Sequence, residues 1–354
     1  MQHTRQLLCA AGLALALTLP AHAAMKEKPS ELALVVLDKK CDRIVEPYKI
    51  SVIGREILLD GAKAKAGMAL DRVLFKKKPD DNALLEEARL RAKRSNWLPM
   101  KTEVIFGERS HAQETNILAR DSKMGKKLYP LADAMLDDIN NKIGEEHDYK
   151  FQLFILKNST RNAIARPGGF LYLDQGLLDD PSQFSKAHFA LAHEIAHVLQ
   201  RHETRELQGM IVDSFRTKKD LEDAIRKSHS DPAVVLEKVE ISKGSYTRHH
   251  IDQELQADSC SARLLARVYA SRTDLADAVN GFLKDLPPPQ APAVADAEPA
   301  SQTGSKAEAI AAKAHDIVTI PASRHPNTQE RTQNLVSIYK ELATKTLAQG
   351  AGGE

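Results

Sequence analysis

The chain has 354 residues, enough to bury one sizeable core and a second small subdomain. Charged residues make up 28% of it, and the formal net charge at pH 7 is only +2. Proteins that bind nucleic acid usually carry clustered basic charge, so this balance excludes an extended nucleic-acid interface.

The first 24 residues have the pattern of a secretory signal peptide. Arg5 supplies positive charge, positions 7–19 form a short apolar run, and Ala21-His22-Ala23 is an A-x-A cleavage site. A membrane anchor is the alternative, but thirteen residues fall short of the roughly 20 that a spanning helix needs. We therefore expect an exported protein with no transmembrane segment after signal cleavage.

The sequence does not decide whether the cysteines form a disulfide bond. Cys9 follows Leu8 rather than a small residue, which argues against a lipid anchor. Cys41 and Cys260 remain after cleavage, and they either pair in an oxidising compartment or stay as two separate buried thiols. Since no C-x-x-C is present, neither a thiol redox site nor a sulfur-ligated metal is indicated.

The first part of the mature chain, residues 25–115, is predicted to be a helical region of unknown role. Within it, residues 80–97 predict an amphipathic helix with Leu84, Leu85 and Ala88 on one face.

Stronger patterns begin near residue 120. Apolar residues spaced three and four apart over 128–143 predict a helix that ends near Gly144. The apolar run at 149–157 predicts a buried strand. Residues 162–174 then predict two short strands joined by a turn at Pro167-Gly168-Gly169.

A second long helix is predicted to begin at Asp180-Pro181, a capping residue followed by proline at the first helical position. The charged segment 204–250 that follows is a candidate lid, because it separates the two helices that carry the chemistry described below. The apolar stripe of the predicted helix consists of Phe184, Ala187, Leu191, Ile195 and Val198.

The C-terminal third is predicted to hold two more helices, separated by a Pro/Ala-rich loop or linker at 286–305. The first covers the sequence DQELQADSCSARLLARVYASR. The second opens at Asn327 with Glu330 three residues later, a helix-start pair. Its predicted core face consists of Leu335, Ile338 and Leu342.

The stretch HEIAH at 193–197 carries the main chemical signal. Residues four apart on a helix lie one above the other, so His193 and His197 can bind one cation. Glu194 points to a different angle and can take a proton from a metal-activated water. Chance explains such a motif in roughly one chain of this length in thirty, so a third ligand decides the matter.

The candidate third ligand is Glu254, in ELQAD, 57 residues after His197. Catalytic zinc takes three protein ligands and keeps one position open. Asp258, one turn further on the same face, is suited to orient a ligand histidine through its other ring nitrogen. His202 is judged too far round the helix to be a ligand. His249 and His250 are conceivable competing ligands, although adjacent histidines near a charged loop are more often surface residues.

Four motifs together resemble the gluzincin zinc metallopeptidases of the CAAX prenyl-protease/HtpX/Oma type, and most closely the exported BepA-like periplasmic proteases. They are NAIARPGGFLYLDQGLL at 162–178, HEIAHVLQRH at 193–202, ELQAD at 254–258 and SRHPNTQER at 323–331. The resemblance implies an α+β, mainly helical fold, in which a zincin-type catalytic domain spans 120–349. It also implies a small β-sheet whose edge strand flanks the active-site helix.

The resemblance also implies roles for individual residues. His193, His197 and Glu254 would bind one Zn²⁺ per chain, Glu194 would be the general base and acid, and Asp258 would support a ligand histidine. The stretch Asn162, Ala163, Ile164 and Ala165 would be the edge strand on which an extended peptide binds; an ordinary hairpin is the alternative.

His325 and Arg331 lie in the family's H-P…R stretch near the metal. His325 would either occupy the open metal position, which would keep the enzyme latent, or donate to the oxyanion. The alternative is a histidine that only caps the start of the following helix. Arg331 would donate to the oxyanion or bond the loop. The arginine that usually stands just before the ELQAD helix is displaced here, since YTR at 246–248 lies further upstream.

These features predict a metalloendopeptidase that hydrolyses unfolded or misfolded envelope proteins. By family analogy, it would lie in the periplasm of a Gram-negative bacterium, with the outer-membrane assembly machinery as a candidate partner. One alternative is a zinc-stabilised binding protein or chaperone that rarely cleaves. Another is a structural helical protein that carries the motif by chance.

Overall fold

The computed structural model describes residues 44–45, 81–237, 251–269, 272–285, 325 and 329–350. The signal peptide, the linker at 286–305, Cys41, Asn327, and His249 with His250 lie outside the described residues. Ten α-helices and three strands are described: α1 (Asp81–Arg94), α2 (Met100–Ala112), α3 (Lys123–Asn140), β1 (Gln152–Leu156), β2 (Ala163–Arg166), β3 (Phe170–Asp174), α4 (Phe184–Leu199), α5 (His202–Ser214), α6 (Lys218–Lys227), α7 (Ala233–Leu236), α8 (Ile251–Val268), α9 (Arg272–Asp285) and α10 (Gln329–Gly350). This arrangement confirms the mainly helical α+β class.

The three strands form one small sheet in the order β1-β3-β2. β1 pairs with β3 in parallel, and β2 pairs with β3 in an antiparallel register that sets Ala165 opposite Leu171. The outer side of β1 is covered by a bridge between Ile117 and Leu156. Within the part of the chain that the structure describes, the outer side of β2 pairs with no strand, so β2 is an edge strand beside α4.

Helix α4 lies at the centre of the main core. Every residue from Lys186 to Leu199 is buried, so this helix is enclosed on all faces. Its apolar stripe packs into the core, and the polar side chains of His193, Glu194 and His197 are enclosed together with it. Asp180 caps the preceding 3₁₀ turn, where its side chain accepts from the Ser182 N–H, and α4 follows at Phe184. The sheet, α3, α8, α9 and α10 complete this core.

A second hydrophobic core joins helices α1 and α2 to helices α5, α6 and α7. Trp97, Leu98 and Phe106, from the region of α1 and α2, pack with buried residues of α5 to α7 such as Leu207 and Ile211. The described part of the candidate lid therefore contributes to a core with the helices that precede the sheet. A lid function for 204–250 stays a prediction.

Helix α3 ends several residues earlier than predicted. Helix α3 ends at Asn140, not near Gly144. The chain tightens there, because the N–H groups of Lys142 and Ile143 bond carbonyls three residues earlier instead of four. Ile143 still packs against the main core from this turn, which explains why the apolar periodicity continued past the end of the helix.

Two details tie the outer parts of the chain to the core. Cys260 on α8 is disulfide-bonded, and its partner lies outside the described residues. The N–H of Val45 donates to the carbonyl of Leu199, at the end of α4, at 3.0 Å. Residues 44–45 therefore lie against the end of α4.

The turn between β2 and β3 needs glycine. Gly168 has a φ of +84°, a conformation that L side chains rarely adopt, and a Cβ there would lie 2.6 Å from the Cα of Val104. The backbone of the turn between β2 and β3 therefore packs directly against the backbone of α2, with no room for a side chain between them.

We expect Gly168→Ala to destabilise the protein by more than the roughly 1–3 kcal/mol of a strained left-handed alanine, because the added methyl also meets the backbone of α2. Gly209→Ala is the matched control. Gly209 lies within α5 with nothing near its would-be Cβ, so this change should stabilise by up to about 1 kcal/mol. Urea unfolding monitored by circular dichroism gives both values. Equal effects of the two changes would contradict the close approach.

Candidate metal centre

Three side chains from two helices converge in the main core. The Nε2 atoms of His193 and His197, both on α4, lie 3.0 Å apart. Glu254 on α8 presents Oε2 at 3.4 Å from His193 Nε2 and Oε1 at 3.5 Å from His197 Nε2. All three side chains are fully buried. The fold therefore brings together the two imidazoles and the carboxylate expected from the motifs.

These distances fit a single small cation. In a tetrahedral site with bonds of about 2.0–2.1 Å, neighbouring ligand atoms lie about 3.3 Å apart. The observed separations of 3.0, 3.4 and 3.5 Å bracket that value. Two imidazole nitrogens and one carboxylate oxygen are also the donor set that zinc accepts in catalytic sites. The residues present thus fit a zinc ion.

His325 joins this group from the segment before α10. Its Nδ1 lies 2.9 Å from Glu254 Oε1, and its Nε2 lies 3.2 Å from Glu194 Oε1. His193, His197, Glu254 and His325 each offer a ligand atom, and these four atoms all lie within 4.8 Å of one another. Burial lowers the pKa of His325, but the adjacent Glu254 and Glu194 carboxylates outweigh it and raise the pKa to about 9.

Asp258 and Arg331 form a wall behind the proposed ligands. The Arg331 guanidinium binds both oxygens of Asp258, at 2.8 and 2.7 Å, and approaches Glu254 Oε2 at 2.8 Å. Asp258 Oδ1 lies 3.1 Å from Nδ1 of His193, the ring nitrogen that faces away from the proposed metal. Arg331 thereby fixes two acidic side chains, and one of those carboxylates contacts a proposed ligand histidine.

The positive charges of His325 and Arg331 determine the ionisation of Glu254 and Asp258. Burial favours protonated carboxylic acids, but His325 and Arg331 outweigh it and hold the pKa of Glu254 well below its ordinary value. Burial acts the same way at Asp258, where Arg331 again outweighs it and lowers the pKa. Both carboxylates are therefore negative at neutral pH, as the proposed ligand and support roles would require.

Glu194 lies beside the ligands and faces the edge strand. Its Oε2 accepts a hydrogen bond of 2.6 Å from the backbone N–H of Ala165 on β2, and its Oε1 is the atom near His325. The Ala165 N–H is a group on the outer side of β2, since it is directed away from the β3 partner. Glu194 therefore stands between the proposed metal position and the strand that would hold a peptide.

Three nearby residues were not identified from sequence. Phe282 on α9 packs its ring against His193, with ring centroids 5.4 Å apart, and lies under the Arg331 guanidinium. His202 contacts His197 Nδ1 at 2.8 Å, and Gln256 contacts His202 in turn. His202 is outside the group of four residues that could hold an ion, but it contacts His197, a proposed ligand. Only the position of Gln256 within ELQAD gave a hint in the sequence.

Comparison with known proteins agrees with these motifs. The chain matches Peptidase family M48 over residues 130–339, which is more than half of its length. A segment of 82 residues is 32% identical to a Vibrio cholerae serotype O1 protein named "Putative beta-barrel assembly-enhancing protease". That segment is 22% of this chain and 17% of the relative, so the two proteins correspond over only a small part of their lengths. Among the described residues, no helix has the length and apolar character needed to cross a membrane.

We expect Arg331→Met to lower the free energy of unfolding of the metal-free protein by about 3–5 kcal/mol, because it leaves two buried carboxylates without their shared cation. Arg263→Met is the control. Arg263 pairs with Glu341 near the surface, and such pairs contribute at most about 1 kcal/mol. Urea unfolding after chelation measures both. A loss at Arg331 no larger than at Arg263 would show that the buried pairing is not required.

Proposed function

Because the chain belongs to peptidase family M48, the family that its motifs indicated, we propose that it is a zinc-dependent endopeptidase. Its substrates would be unfolded or misfolded protein chains. The observation that carries the proposal is the convergence of His193, His197 and Glu254 beside the Glu194 carboxylate and the β2 edge. A binding protein would need the ligands alone, whereas hydrolysis also needs a base at this position.

The metal would be held by Nε2 of His193, Nε2 of His197 and the carboxylate of Glu254. A bound zinc would supply an activated water at neutral pH and polarise the scissile carbonyl. The chain's part is to keep both imidazoles neutral and aimed, to keep Glu254 ionised, and to exclude bulk water. Full burial of the three proposed ligands supports the exclusion of bulk water, and the Arg331 contact supports an ionised Glu254.

Glu194 would act as general base and then as general acid. It follows a ligand in sequence, yet its side chain faces the edge strand instead of joining the ligand atoms. In this position its carboxylate would accept a proton from the attacking water and later pass that proton to the leaving amine. Its hydrogen bond from Ala165 fixes the carboxylate where a bound peptide would cross the site.

The β2 edge from Ala163 to Ala165, with Asn162 before it, would bind the substrate in extended form. An open strand edge offers unpaired N–H and C=O groups to another chain, and peptides commonly bind proteins in this way. Because the Ala165 N–H already reaches Glu194, a peptide on this edge would pass directly beside the base. Folded proteins rarely offer a free strand, so this mode favours unfolded or misfolded chains.

His325 would keep the site closed until substrate binds. Its two ring nitrogens contact one carboxylate of the ligand set and the carboxylate of the base, so it engages both parts of the machinery together. Arg331 is completely buried between Asp258 and Glu254. This burial supports a role in positioning these two carboxylates and not in contacting the substrate. The oxyanion would then depend mainly on the metal.

The biological setting is proposed from compartment and analogy. A signal peptide would direct the protein to the periplasm, where unfolded envelope proteins are available as substrates. The Vibrio cholerae relative is named for β-barrel assembly, which supports quality control near the outer-membrane assembly machinery. Because only 17% of that relative is matched, a role of this chain beside the same assembly machinery is a proposal only.

We expect Glu194→Gln to lower casein hydrolysis by about 10²–10⁴-fold while zinc content and thermal stability stay near those of the parent, since the amide cannot accept the proton. Glu108→Gln, on the exposed side of α2, is the control and should leave hydrolysis unchanged. Biological activity that survives Glu194→Gln intact would favour the zinc-stabilised binding protein. A parent without zinc would contradict both hypotheses.

Replacement of His325 by alanine should raise casein hydrolysis several-fold, because Glu194 is then released while His193, His197 and Glu254 still hold the metal. Metal analysis of the parent and the variant provides the control, because their hydrolysis rates can be compared only if both still bind zinc. If hydrolysis falls with zinc retained, His325 acts as a donor to the oxyanion and not as a closing residue.

A further inference from the structure

We propose that His202 is a positioning residue that orients the ligand His197, and that Gln256 fixes the orientation of His202 in turn. The proposal rests on the proposed zinc site and concerns how that site is held. The three side chains are buried and form one continuous line from α8 through the start of α5 to α4. Neither His202 nor Gln256 belongs to the group that could hold the ion.

The hydrogen-bond directions along this line have one consistent solution. His197 can offer Nε2 to a cation in its neutral form only if Nδ1 carries the proton. Nδ1 lies 2.8 Å from Nδ1 of His202, which must then accept. His202 consequently carries its own proton on Nε2 and donates it over 2.9 Å to the amide oxygen of Gln256. An amide oxygen only accepts, so the Gln256 oxygen requires the proton of His202 to be on Nε2. This in turn leaves Nδ1 of His202 free of a proton and able to accept from His197.

A competing acceptor is too distant to fill this role. Glu203 Oε1 lies 3.8 Å from Nδ1 of His197, beyond hydrogen-bond distance, while His202 lies 2.8 Å from the same atom. The rings of His197 and His202 cross at 76°, so the nitrogen of one ring approaches the edge of the other. His202 is therefore the group that meets the outer nitrogen of this ligand.

The two ligand histidines are supported by chemically different groups. His193 meets the Asp258 carboxylate, which is ionised and held by Arg331. His197 meets a neutral imidazole held by an amide. Asp258 and Gln256 both lie on α8, the helix that also supplies Glu254. A single helix thus gives one ligand and an anchor for each of the other two.

An unusual backbone conformation brings His202 to its place. Helix α4 ends at Leu199, and Arg201 adopts a left-handed conformation with φ 56°, after which α5 starts at His202. A left-handed non-glycine residue is unfavourable and persists only where its surroundings hold it. The buried Arg201 guanidinium donates to the Leu98 carbonyl at 2.6 Å and pairs with Glu103 of α2 at 3.3 Å. The region before the sheet thereby helps to set the position of His202.

The test is a matched pair of substitutions with zinc affinity as the readout. His202→Asn keeps an acceptor close to the place of Nδ1, whereas His202→Leu has a similar size and no acceptor. Both are made in the Glu194→Gln background, so that self-cleavage does not interfere and no step depends on hydrolysis. Zinc dissociation constants come from competition with a chromophoric chelator, and cobalt-substituted samples report the ligand geometry through their visible spectra.

We expect His202→Leu to weaken zinc binding by about 10–100-fold, the range found for support residues of metal ligands. His202→Asn should stay within a few-fold of its parent and keep the cobalt spectrum. Parent-like affinity of the leucine variant would overturn the proposal. So would equal losses in the two variants, which would show that packing matters and the acceptor does not.

Gln256→Met gives an independent arm in case His202→Leu does not fold. Methionine fills a similar volume and leaves the His202 Nε2–H without its acceptor, so zinc binding should weaken by a smaller factor. Affinity equal to that of the parent would overturn the proposal in this arm. If the parent binds zinc but does not hydrolyse casein, the proposed function fails while the affinity comparison still decides the role of His202. A parent that binds no zinc would refute both.

Discussion

The structure depends on a group of buried polar side chains that cannot be stable unless opposite charge is nearby. Glu254 and Asp258 are carboxylates without access to solvent, and Glu194 is almost as buried. Isolated buried charges are costly, so such groups are paired or bind metals. Arg331 and His325 supply the positive charge that the chain itself provides. The Nε2 atoms of His193 and His197 lie only 3.0 Å apart beside Glu254, and a cation bound there would satisfy both.

The rest of the fold serves to keep this group in place. Helix α4 is enclosed by the sheet and by helices on its other sides, so its two histidines cannot turn toward solvent. Helix α8 crosses it and contributes Glu254, Gln256 and Asp258. The β2 edge lies on the remaining side, where Ala165 contacts Glu194. The proposed ligands, the proposed base and the strand that would bind substrate therefore all lie on packed helices and strands, as catalysis would require.

Local patterns in the sequence predicted most of this arrangement. The i, i+4 spacing of His193 and His197 fixed their common face, and the position of ELQAD after HEIAH indicated Glu254 as the third member of the group. The turn at Gly168 was also predictable, because it needs a positive φ that favours glycine. The α+β class and the family are confirmed.

Features that depend on a break in local regularity could not be predicted. His202 was excluded as a ligand on the assumption that α4 continues past Leu199. The left-handed Arg201 ends that helix and returns His202 to His197, and no residue type in QRH signals this. The end of α3 at Asn140 was missed for a similar reason, since Ile143 remains in the core after the helix stops. The packing of α1 and α2 on α5 depends on long-range contacts, which no periodicity encodes.

Anomalous diffraction at the zinc absorption edge, from crystals of the purified protein, locates any bound zinc directly. We expect one strong peak per chain, about 2.0–2.2 Å from Nε2 of His193, Nε2 of His197 and a carboxylate oxygen of Glu254. A fully folded protein with no peak there, or with its zinc bound elsewhere, would contradict the account.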